Sequence, residues 1–236
     1  MTGPVRLVLF DLDGTLVDHA AAEAQAVRQW AQREGWAEDP AGLVQAWDEI
    51  AERHFPAYRQ RRTSFQGQRR LRLRDFLPLV GIDPSAWSDA RLDAAFEGYL
   101  RAYEAAWRAF PDAGPCLQEL RRVVRVAVLS NGEQAQQEDK LRRTGLAPYV
   151  DVVLTSGLLG VAKPDPAAFT SACARLGVRP EQAVYVGDRL EVDAVAACAA
   201  GLRGIWLDRA ASGGSAGVET VDGLAGLPGL LSGRRR

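Results

Sequence analysis

The sequence contains little cysteine, histidine or lysine. Its three cysteines, Cys116, Cys173 and Cys198, are odd in number and form no C-x-x-C pair. Neither a disulfide framework nor a thiolate zinc site is therefore expected, and all three are predicted to be small core residues. The two histidines, His19 and His54, lie outside the strand-end motifs described below, which counts against histidine-bound zinc at those motifs.

Long apolar runs and an excess of charge are absent as well. No apolar segment approaches the roughly 20 residues needed to cross a bilayer, and the first residues lack the hydrophobic region of a secretory signal. We therefore expect a cytoplasmic protein with no membrane partner. The formal net charge is −1, so composition predicts no nucleic-acid partner.

Short apolar runs alternate with helix-like segments along most of the chain. Near-continuous apolarity predicts strands buried on both faces, and the alternation predicts an α/β fold with a Rossmann-like, doubly wound parallel sheet. The predicted strands are Val5–Phe10, Val123–Leu129, Val152–Thr155, Ala183–Val186 and Gly204–Leu207. The predicted helices of this part include Glu133–Thr144, Pro166–Leu176 and Leu190–Ala200.

The connection after the first strand is far longer than a single crossover helix requires. It is rich in Ala, Leu, Arg, Glu and Gln, with turn signals at intervals, which predicts an inserted helical domain. We predict a catalytic core at residues 1–18 and 110–236 and a helical cap domain at residues 19–109. The predicted cap helices are Ala20–Glu34, Pro40–His54, Phe65–Val80 and Asp89–Trp107.

The segment after the last predicted strand is rich in small residues and then in leucine. Ser212–Gly217 has the composition of a flexible connection. Leu224, Leu227 and Leu230 are spaced like one face of a helix. We therefore predict a flexible connection followed by a short helix.

Two pairs of aspartates follow predicted strands. Asp11 and Asp13 stand two residues apart, a spacing that points both side chains to the same side of an extended segment. Taken alone, this pair fits acids that merely decorate a turn equally well. Asp188 and Asp193 follow another strand, which ends at Gly187. Because open α/β sheets bind ligands outside the carboxyl ends of their strands, we predict that the four carboxylates converge.

A cluster of aspartates favours a bound cation. Carboxylates packed together repel one another and resist ionisation unless positive charge compensates them. Ligands that are all oxygen indicate a hard metal, and a small set of them leaves coordination positions for water and a phosphate group. The sequence therefore predicts Mg²⁺ as the cofactor.

Two further strand ends carry groups suited to an anion. Ser130-Asn131-Gly132 places a hydroxyl and backbone N–H groups at the start of a helix. Lys163 is unusual because only two of the 29 basic residues are lysine, and its compact charge suits a phosphoryl oxygen. For Lys163 alone, an ordinary surface lysine remains an alternative.

The ordered set of motifs resembles the haloacid dehalogenase-like superfamily. The motifs in question are Asp11-x-Asp13-x-Thr15, Ser130, Lys163-Pro164 and Gly187-Asp188-x-x-x-x-Asp193. The resemblance extends from Val5 to Leu207, and the helical insert resembles that superfamily's C1-type cap. Lys140–Leu146, followed by Gly160–Pro164, resembles the nucleotidase and N-acylneuraminate-phosphatase branch.

This resemblance implies a Mg²⁺-dependent phosphatase that acts on a small phosphorylated metabolite. Asp11 would attack phosphorus to form an aspartyl-phosphate, and Asp13 would protonate the leaving alcohol and then deprotonate the attacking water. The metal would be held by the carboxylates of Asp11 and Asp188 and by the backbone carbonyl of Asp13.

The remaining motif residues would support that chemistry. By the same resemblance, Ser130, the backbone around Asn131 and Lys163 would stabilise the phosphoryl oxygens. Thr15 would brace the loop that carries Asp11. Asp193 would either contact the metal through water or orient Lys163.

Other activities of the superfamily differ in what they require. A dehalogenase needs no acid–base group such as Asp13, and a phosphonatase needs a cap lysine, whereas residues 19–109 contain none. A sugar phosphomutase shares the core motifs and is the main alternative. A non-catalytic protein that binds a phospho-ligand is a further one, although both catalytic carboxylates are present.

The predicted cap also contains an arginine-rich stretch. Residues 59–74 hold seven arginines and no acid, but acids elsewhere in the cap balance them, so a solvated helix face is the simpler interpretation. The cap is expected to act as a lid that favours small substrates. One or two of four arginines are expected to contact the leaving group. These are Arg69, Arg70, Arg72 and Arg74.

Overall fold

The computed structural model describes residues 4–36, 41–213 and 217–231. Within these residues, six strands form one parallel sheet in the order β3-β2-β1-β4-β5-β6. The predicted parallel α/β sheet is thereby confirmed. The strands are β1 (Leu7–Phe10), β2 (Arg125–Ser130), β3 (Val152–Thr155), β4 (Ala183–Gly187), β5 (Arg203–Leu207) and β6 (Glu219–Val221).

Helices cover both faces of the sheet and make up the long insert. The helices of the insert are α1 (His19–Glu34), α2 (Ala41–Arg59), α3 (Phe65–Phe76) and α4 (Asp89–Ala106). Those of the remaining chain are α5 (Ala113–Leu120), α6 (Gln134–Arg143), α7 (Ser156–Leu159), α8 (Pro166–Arg175), α9 (Ala196–Ala199) and α10 (Leu227–Leu231). Short 3₁₀ helices span Leu77–Val80, Ala147–Tyr149 and Pro180–Gln182, and π-helical turns span Leu190–Val195.

Strand β1 occupies the middle of the sheet because its side chains are apolar on both faces. All four of its residues are fully buried. Val8 and Phe10 pack into the core that contains α5 and α10, while Leu7 and Leu9 pack into the core that contains α8 and α9. A strand with one polar face could not take this position, since that face would lie buried without partners.

The C-terminal part and α9 differ from the sequence-based expectation. Strand β6 was not predicted, because Glu219-Thr220-Val221 has one apolar residue and joins the sheet edge by pairing with β5. Helix α10 includes two of the three predicted leucines, and residues 214–216 of the predicted connection lie outside the described residues. The prediction that all three cysteines lie in the core is wrong for Cys198, which is exposed on α9.

The chain divides into two compact units. One comprises the residues up to Asp18 and from Arg108 onward, and the other is His19–Trp107. The helical unit has a core of aromatic rings, with Trp47 packed against Phe76 and Tyr99 at ring-centroid distances of 4.9 and 4.5 Å. Helix α2 extends past its predicted end at His54, and its predicted start at Pro40 lies outside the described residues. Among the described helices, none has the length and apolarity to cross a membrane.

Candidate active site

The carboxyl ends of the three central strands bring the first candidate residues together. Strand β1 lies between β2 and β4, and Asp11 follows it directly. The Asp11 backbone N–H donates to the Val186 carbonyl at 2.9 Å, which continues the β4 pairing by one residue. Ser130 ends β2 and Asp188 follows β4. Three residues predicted from the sequence therefore lie together at the carboxyl ends of the central strands.

The acidic residues converge closely. Carboxylate oxygens of Asp11, Asp188 and Asp193 lie within 4.8 Å of one another. Burial raises the pKa of Asp11, and the nearby Asp193 and Asp188 raise it further, although Lys163 opposes both effects. Burial and the Asp193 charge raise the pKa of Asp188 to about 6. Because a cation would stabilise the charged forms of these acids, the oxygen-only cluster fits a hard divalent metal.

A glycine after the two motif aspartates allows Asp188 to approach the loop. Gly14 has a φ of +81°, and a Cβ atom at this position would lie 2.3 Å from the Asp188 Oδ2 atom. Any other residue would therefore be strained and would displace that carboxylate. Thr15, the next residue, is fully buried and donates from Oγ1 to Asp188 Oδ1 at 3.0 Å. This contact joins the loop that carries Asp11 to Asp188, and the bracing role of Thr15 stays a prediction.

Lys163 is buried among three partners. Its Nζ atom lies 2.9 Å from Asp11 Oδ1, 2.7 Å from Asp193 Oδ1 and 2.6 Å from the Tyr185 hydroxyl. Burial lowers the pKa of Lys163, but Asp11 and Asp193 outweigh burial and raise it. The surface-lysine alternative is therefore wrong, and the Lys163 charge lies directly beside the predicted nucleophile.

Asn131 and Asp193 both fix Lys163. The Asn131 side chain accepts from the Lys163 backbone N–H at 2.9 Å and donates to its carbonyl at 2.8 Å. Asp193 is fully buried and also accepts from the Arg189 backbone N–H at 3.0 Å and from the Tyr185 hydroxyl at 3.3 Å. Of the two roles left open for Asp193, these contacts favour the orientation of Lys163. Both polar atoms of the Asn131 side chain are hydrogen-bonded to the Lys163 backbone. The backbone around Asn131, and not its side chain, is therefore the group suited to an anion.

Ser130 presents its hydroxyl next to this loop. Its Oγ atom accepts from the Gly132 backbone N–H at 3.1 Å and from Gln137 Nε2 at 2.7 Å. Both contacts use the oxygen as an acceptor, so the hydroxyl hydrogen can donate to a bound anion. This geometry suits the phosphate-binding role predicted for Ser130.

Two residues that contact Asp13 had no predicted role. Lys140 donates to Asp13 Oδ1, and Gln137 Nε2 donates to Oδ2 at 2.9 Å. Lys140 and Lys163 are the only lysines in the sequence, and both are buried at this site. The scarcity of lysine that singles out Lys163 therefore applies equally to Lys140. Gln137 carries no comparable signal in a helix that is rich in polar residues.

In the helical unit, three of the four candidate arginines are held by partners within that unit. Arg70 pairs with Asp89 and Asp93, and Arg74 donates to backbone carbonyls at 3.3 Å. Arg72 is buried and pairs with Glu23 at 2.9 Å. The guanidinium carbon of Arg69 lies 4.4 Å from the ring centroid of Phe65 and 5.1 Å from that of Phe96. Arg69 Nη1 also lies 3.5 Å from Gln66 Oε1, but among the described residues no acid lies within ion-pair distance of Arg69.

Sequence comparison places the chain among known hydrolases. The profile of a haloacid dehalogenase-like hydrolase family matches residues 5–201. The glyceraldehyde 3-phosphate phosphatase of Methanopyrus kandleri is 32% identical over 200 residues, which are 84% of this chain and 82% of that protein. Human N-acylneuraminate-9-phosphatase is 27% identical over 222 residues, which are 87% of this chain and 83% of that protein.

Solved structures with the same fold cover nearly the whole chain. The HAD-hydrolase YfnB of Bacillus subtilis, bound to magnesium, has a TM-score of 0.84 at 22% identity and covers 98% of this chain and 100% of its own. A 2-haloacid dehalogenase of Pseudomonas syringae has a TM-score of 0.69 at 30% identity and covers 97% of this chain and 98% of its own.

Proposed function

Because the chain belongs to the haloacid dehalogenase-like hydrolase family, we propose that it is a Mg²⁺-dependent phosphatase of small phosphate monoesters, acting through an aspartyl-phosphate. The family predicted from the four motifs is confirmed, and an N-acylneuraminate phosphatase is among its relatives, as expected. One observation carries the proposal. Asp11, with Lys163 2.9 Å from its Oδ1 atom, stands in one loop with a second carboxylate, Asp13.

Asp11 is suited to nucleophilic attack by its position and its contacts. Lys163 fixes one of its carboxylate oxygens, and the other is the proposed nucleophile toward phosphorus. The new bond forms between this oxygen and phosphorus, while the bond from phosphorus to the ester oxygen breaks. Lys163, the Ser130 hydroxyl and the backbone near Asn131 would bind the phosphoryl oxygens, which carry the charge in transfer.

Asp13 is proposed to move protons in both half-reactions. As an acid it protonates the departing alcohol, and as a base it then accepts a proton from the water that attacks the aspartyl-phosphate. The second step releases inorganic phosphate and restores the Asp11 carboxylate. A halide leaving group would need no such proton, so Asp13 favours phosphate esters over the haloacid substrates of the dehalogenase relative.

The acidic cluster is proposed to hold Mg²⁺. The carboxylates of Asp11 and Asp188 and the backbone carbonyl of Asp13 would be the protein ligands. The bound cation would neutralise charge between the nucleophile and the phosphate. The raised pKa values of Asp11 and Asp188 support this assignment, because both carboxylates need positive charge to ionise readily.

We infer the substrate class from the relatives and from the helical unit. The relatives named above are phosphatases of glyceraldehyde 3-phosphate and of N-acylneuraminate 9-phosphate, so phosphorylated sugars are the first compounds to test. The resemblance of Lys140–Leu146 and Gly160–Pro164 to the nucleotidase branch adds nucleoside 5′-monophosphates to the panel. Residues 19–109 are proposed to form the C1-type cap, with residues 1–18 and 110–236 as the catalytic core. Arg69 is the proposed contact for a polar leaving group.

The test is a panel of phosphate monoesters assayed for inorganic phosphate with Mg²⁺ and with a chelator, with Asp11→Asn as the inactive control. We expect Mg²⁺-dependent phosphate release that the control lacks. Transfer of phosphate between sugar positions without its release would instead identify a phosphomutase. Tight binding of an ester with neither outcome would identify a non-catalytic binding protein.

A further inference from the structure

Helix α6 holds the second carboxylate of the site from two directions. The carboxylate of Asp13 receives a different donor on each oxygen, Lys140 on Oδ1 and Gln137 on Oδ2. We propose that Lys140 and Gln137 are positioning residues that hold the Asp13 carboxylate in its orientation for proton transfer. This inference rests on the proposed function, because it assigns a purpose to the Asp13 contacts only if Asp13 moves protons.

Two separate donors fix the plane of the carboxylate. The Asp13 side chain is 28% exposed, whereas Lys140 is 1% exposed. An aspartate that reaches solvent would otherwise sample several rotamers, each with a different direction for proton transfer. A charge-assisted hydrogen bond on one oxygen and an amide on the other select one orientation. An ion pair with Lys140 needs only one oxygen of the carboxylate. The second donor, Gln137, therefore fixes the plane of the Asp13 carboxylate.

Gln137 also joins Asp13 to the anion-binding loop. Its Nε2 atom lies 2.9 Å from Asp13 Oδ2 and 2.7 Å from Ser130 Oγ. A Cβ atom at Gly132 would lie 2.3 Å from this same Nε2 atom, so the loop leaves room for the amide only because it has glycine there. One side chain therefore sets the distance between the phosphate-binding hydroxyl and the proton-transfer carboxylate.

The arrangement is poorly explained by stability alone. Gln137 and Lys140 are three residues apart on α6, so they lie on one helical face. Burying a lysine has a desolvation cost that a single ion pair barely offsets, and apolar replacements of buried ion pairs are often neutral. In a chain with 27 arginines and two lysines, a buried lysine beside a catalytic carboxylate indicates a functional requirement.

The test compares two classes of ester with variants of α6. Lys140→Met and Gln137→Met remove the donors, and Arg142→Met is the matched control because Arg142 is exposed on the same helix and pairs with Asp139. For an alkyl phosphate, whose alcohol must be protonated, we expect kcat/KM to fall about 10²-fold in Lys140→Met, the lower end of general acid catalysis. For 4-nitrophenyl phosphate, whose phenolate leaves unprotonated, we expect a loss below about tenfold.

A double-mutant cycle separates positioning from a structural role. In the Asp13→Asn background, Lys140→Met should cause no further loss of kcat/KM, because Lys140 acts through Asp13. Lys140→Arg should recover most of the activity, since it restores a cationic donor. Thermal unfolding identifies any variant that does not fold, and Gln137→Met then provides the same comparison at the second oxygen.

Several results would overturn the assignment. Equal losses for both esters, additive losses in the Asp13→Asn background, or a comparable loss in Arg142→Met would each show that α6 acts only through the fold. A wild-type protein that hydrolyses no ester would overturn the proposed function and this assignment together. An active wild type with additive variants would overturn this assignment alone.

Discussion

The strand-end site and the helical unit each contain a buried polar cluster, and the two clusters differ in charge balance. The strand-end cluster contains four aspartates and two lysines. They are Asp11, Asp13, Asp188, Asp193, Lys140 and Lys163. In the helical unit, Glu23 pairs with Arg72 at 2.9 Å, accepts from the Tyr99 hydroxyl at 3.1 Å and lies 3.6 Å from His19.

The two clusters shift carboxylate pKa values in opposite directions. Burial raises the pKa of Glu23, but His19 and Arg72 outweigh it, so the net shift is downward. At Asp11 and Asp188, burial and neighbouring acids prevail, and the net shifts are upward. Burial is therefore common to both clusters, and compensation of charge is what distinguishes them. A cluster that neutralises itself needs no added cation, whereas a surplus of buried negative charge indicates a cationic ligand.

The largest expected effect is the loss of the nucleophile. Asp11→Asn should reduce phosphate release to background with every ester, because the amide forms no aspartyl-phosphate. Mass spectrometry after rapid acid quenching should detect the phosphorylated aspartate in the wild type alone. The matched control is Asp222→Asn, which changes an exposed acid. Residual turnover of the same order as wild type in Asp11→Asn would remove Asp11 from the mechanism.

Removal of the metal should reduce turnover nearly as much as loss of the nucleophile. It should also leave the negative charge of the aspartate cluster uncompensated, which can be measured as a change in stability. A chelator should abolish turnover, and Mg²⁺ should raise the thermal midpoint of the wild type but not that of Asp188→Asn. Burial raises the pKa of Asp188 from 3.8 to about 6 in the folded protein. At pH 7 to 8 the ionised carboxylate therefore destabilises the metal-free fold, and replacing it with asparagine should remove that cost.

The metal-free Asp188→Asn protein is accordingly expected to unfold at or above the temperature of the metal-free wild type. Calorimetry with and without Mg²⁺ measures both quantities. If the variant unfolds earlier without metal and still responds fully to Mg²⁺, then Asp188 is neither a ligand nor a source of surplus charge.

Substitutions in the Glu23–Arg72 cluster of the helical unit should behave in the opposite way. They should change the stability of the protein strongly, and this change should not depend on Mg²⁺. Glu23→Leu leaves the Arg72 charge buried without its partner and should lower the free energy of unfolding by about 3–5 kcal/mol. The double variant Glu23→Leu/Arg72→Leu should recover most of that loss, because both charges are then removed. Denaturant titration checks this. Equal destabilisation in the single and double variants would show that packing, and not charge, dominates this cluster.

The smallest expected effect concerns Arg69, the one candidate arginine for which the described residues place no acid within ion-pair distance. Arg69→Ala should raise KM for the preferred ester roughly tenfold, which corresponds to one charge-assisted hydrogen bond of about 1.5 kcal/mol. KM for 4-nitrophenyl phosphate should change little, since a minimal leaving group makes no remote contact. Arg70→Ala is the control, because Arg70 is already paired with Asp89 and Asp93. Equal KM changes in both variants would exclude a specific contact at Arg69.

The sequence predicts the parts of the molecule that depend on apolar runs and on strand ends. Strands β1 to β5 are predictable because each lies in a nearly continuous apolar segment, and the meeting of Asp11 and Asp188 follows from parallel pairing. Strand β6 has no such run, and it is recognisable as a strand only from its pairing with β5 at the edge of the sheet. The π-helical turns at Leu190–Val195 were predicted as ordinary helix, since composition does not distinguish the two.

Site residues that belong to a sequence motif can be predicted from the sequence. Site residues that are identified only by their contacts in the fold cannot. The catalytic and metal-binding roles of the motif residues stay predictions until they are tested, although the structure brings their side chains together. Gln137 and Tyr185 become relevant only through distances of 2.9 Å to Asp13 and 2.6 Å to Lys163. Nothing in a polar helix or an apolar strand marks these two residues in advance.

The burial of both lysines has a practical consequence for observing the site. Lys140 is 1% exposed and Lys163 is 2% exposed, so neither side-chain amine is accessible to an acylating reagent in the folded protein. Acylation of these amines then requires the site to open, and its rate reports the free energy of that opening, as amide hydrogen exchange does for the backbone. Mapping the modified lysines by mass spectrometry would therefore measure how tightly the site is closed, without any substrate.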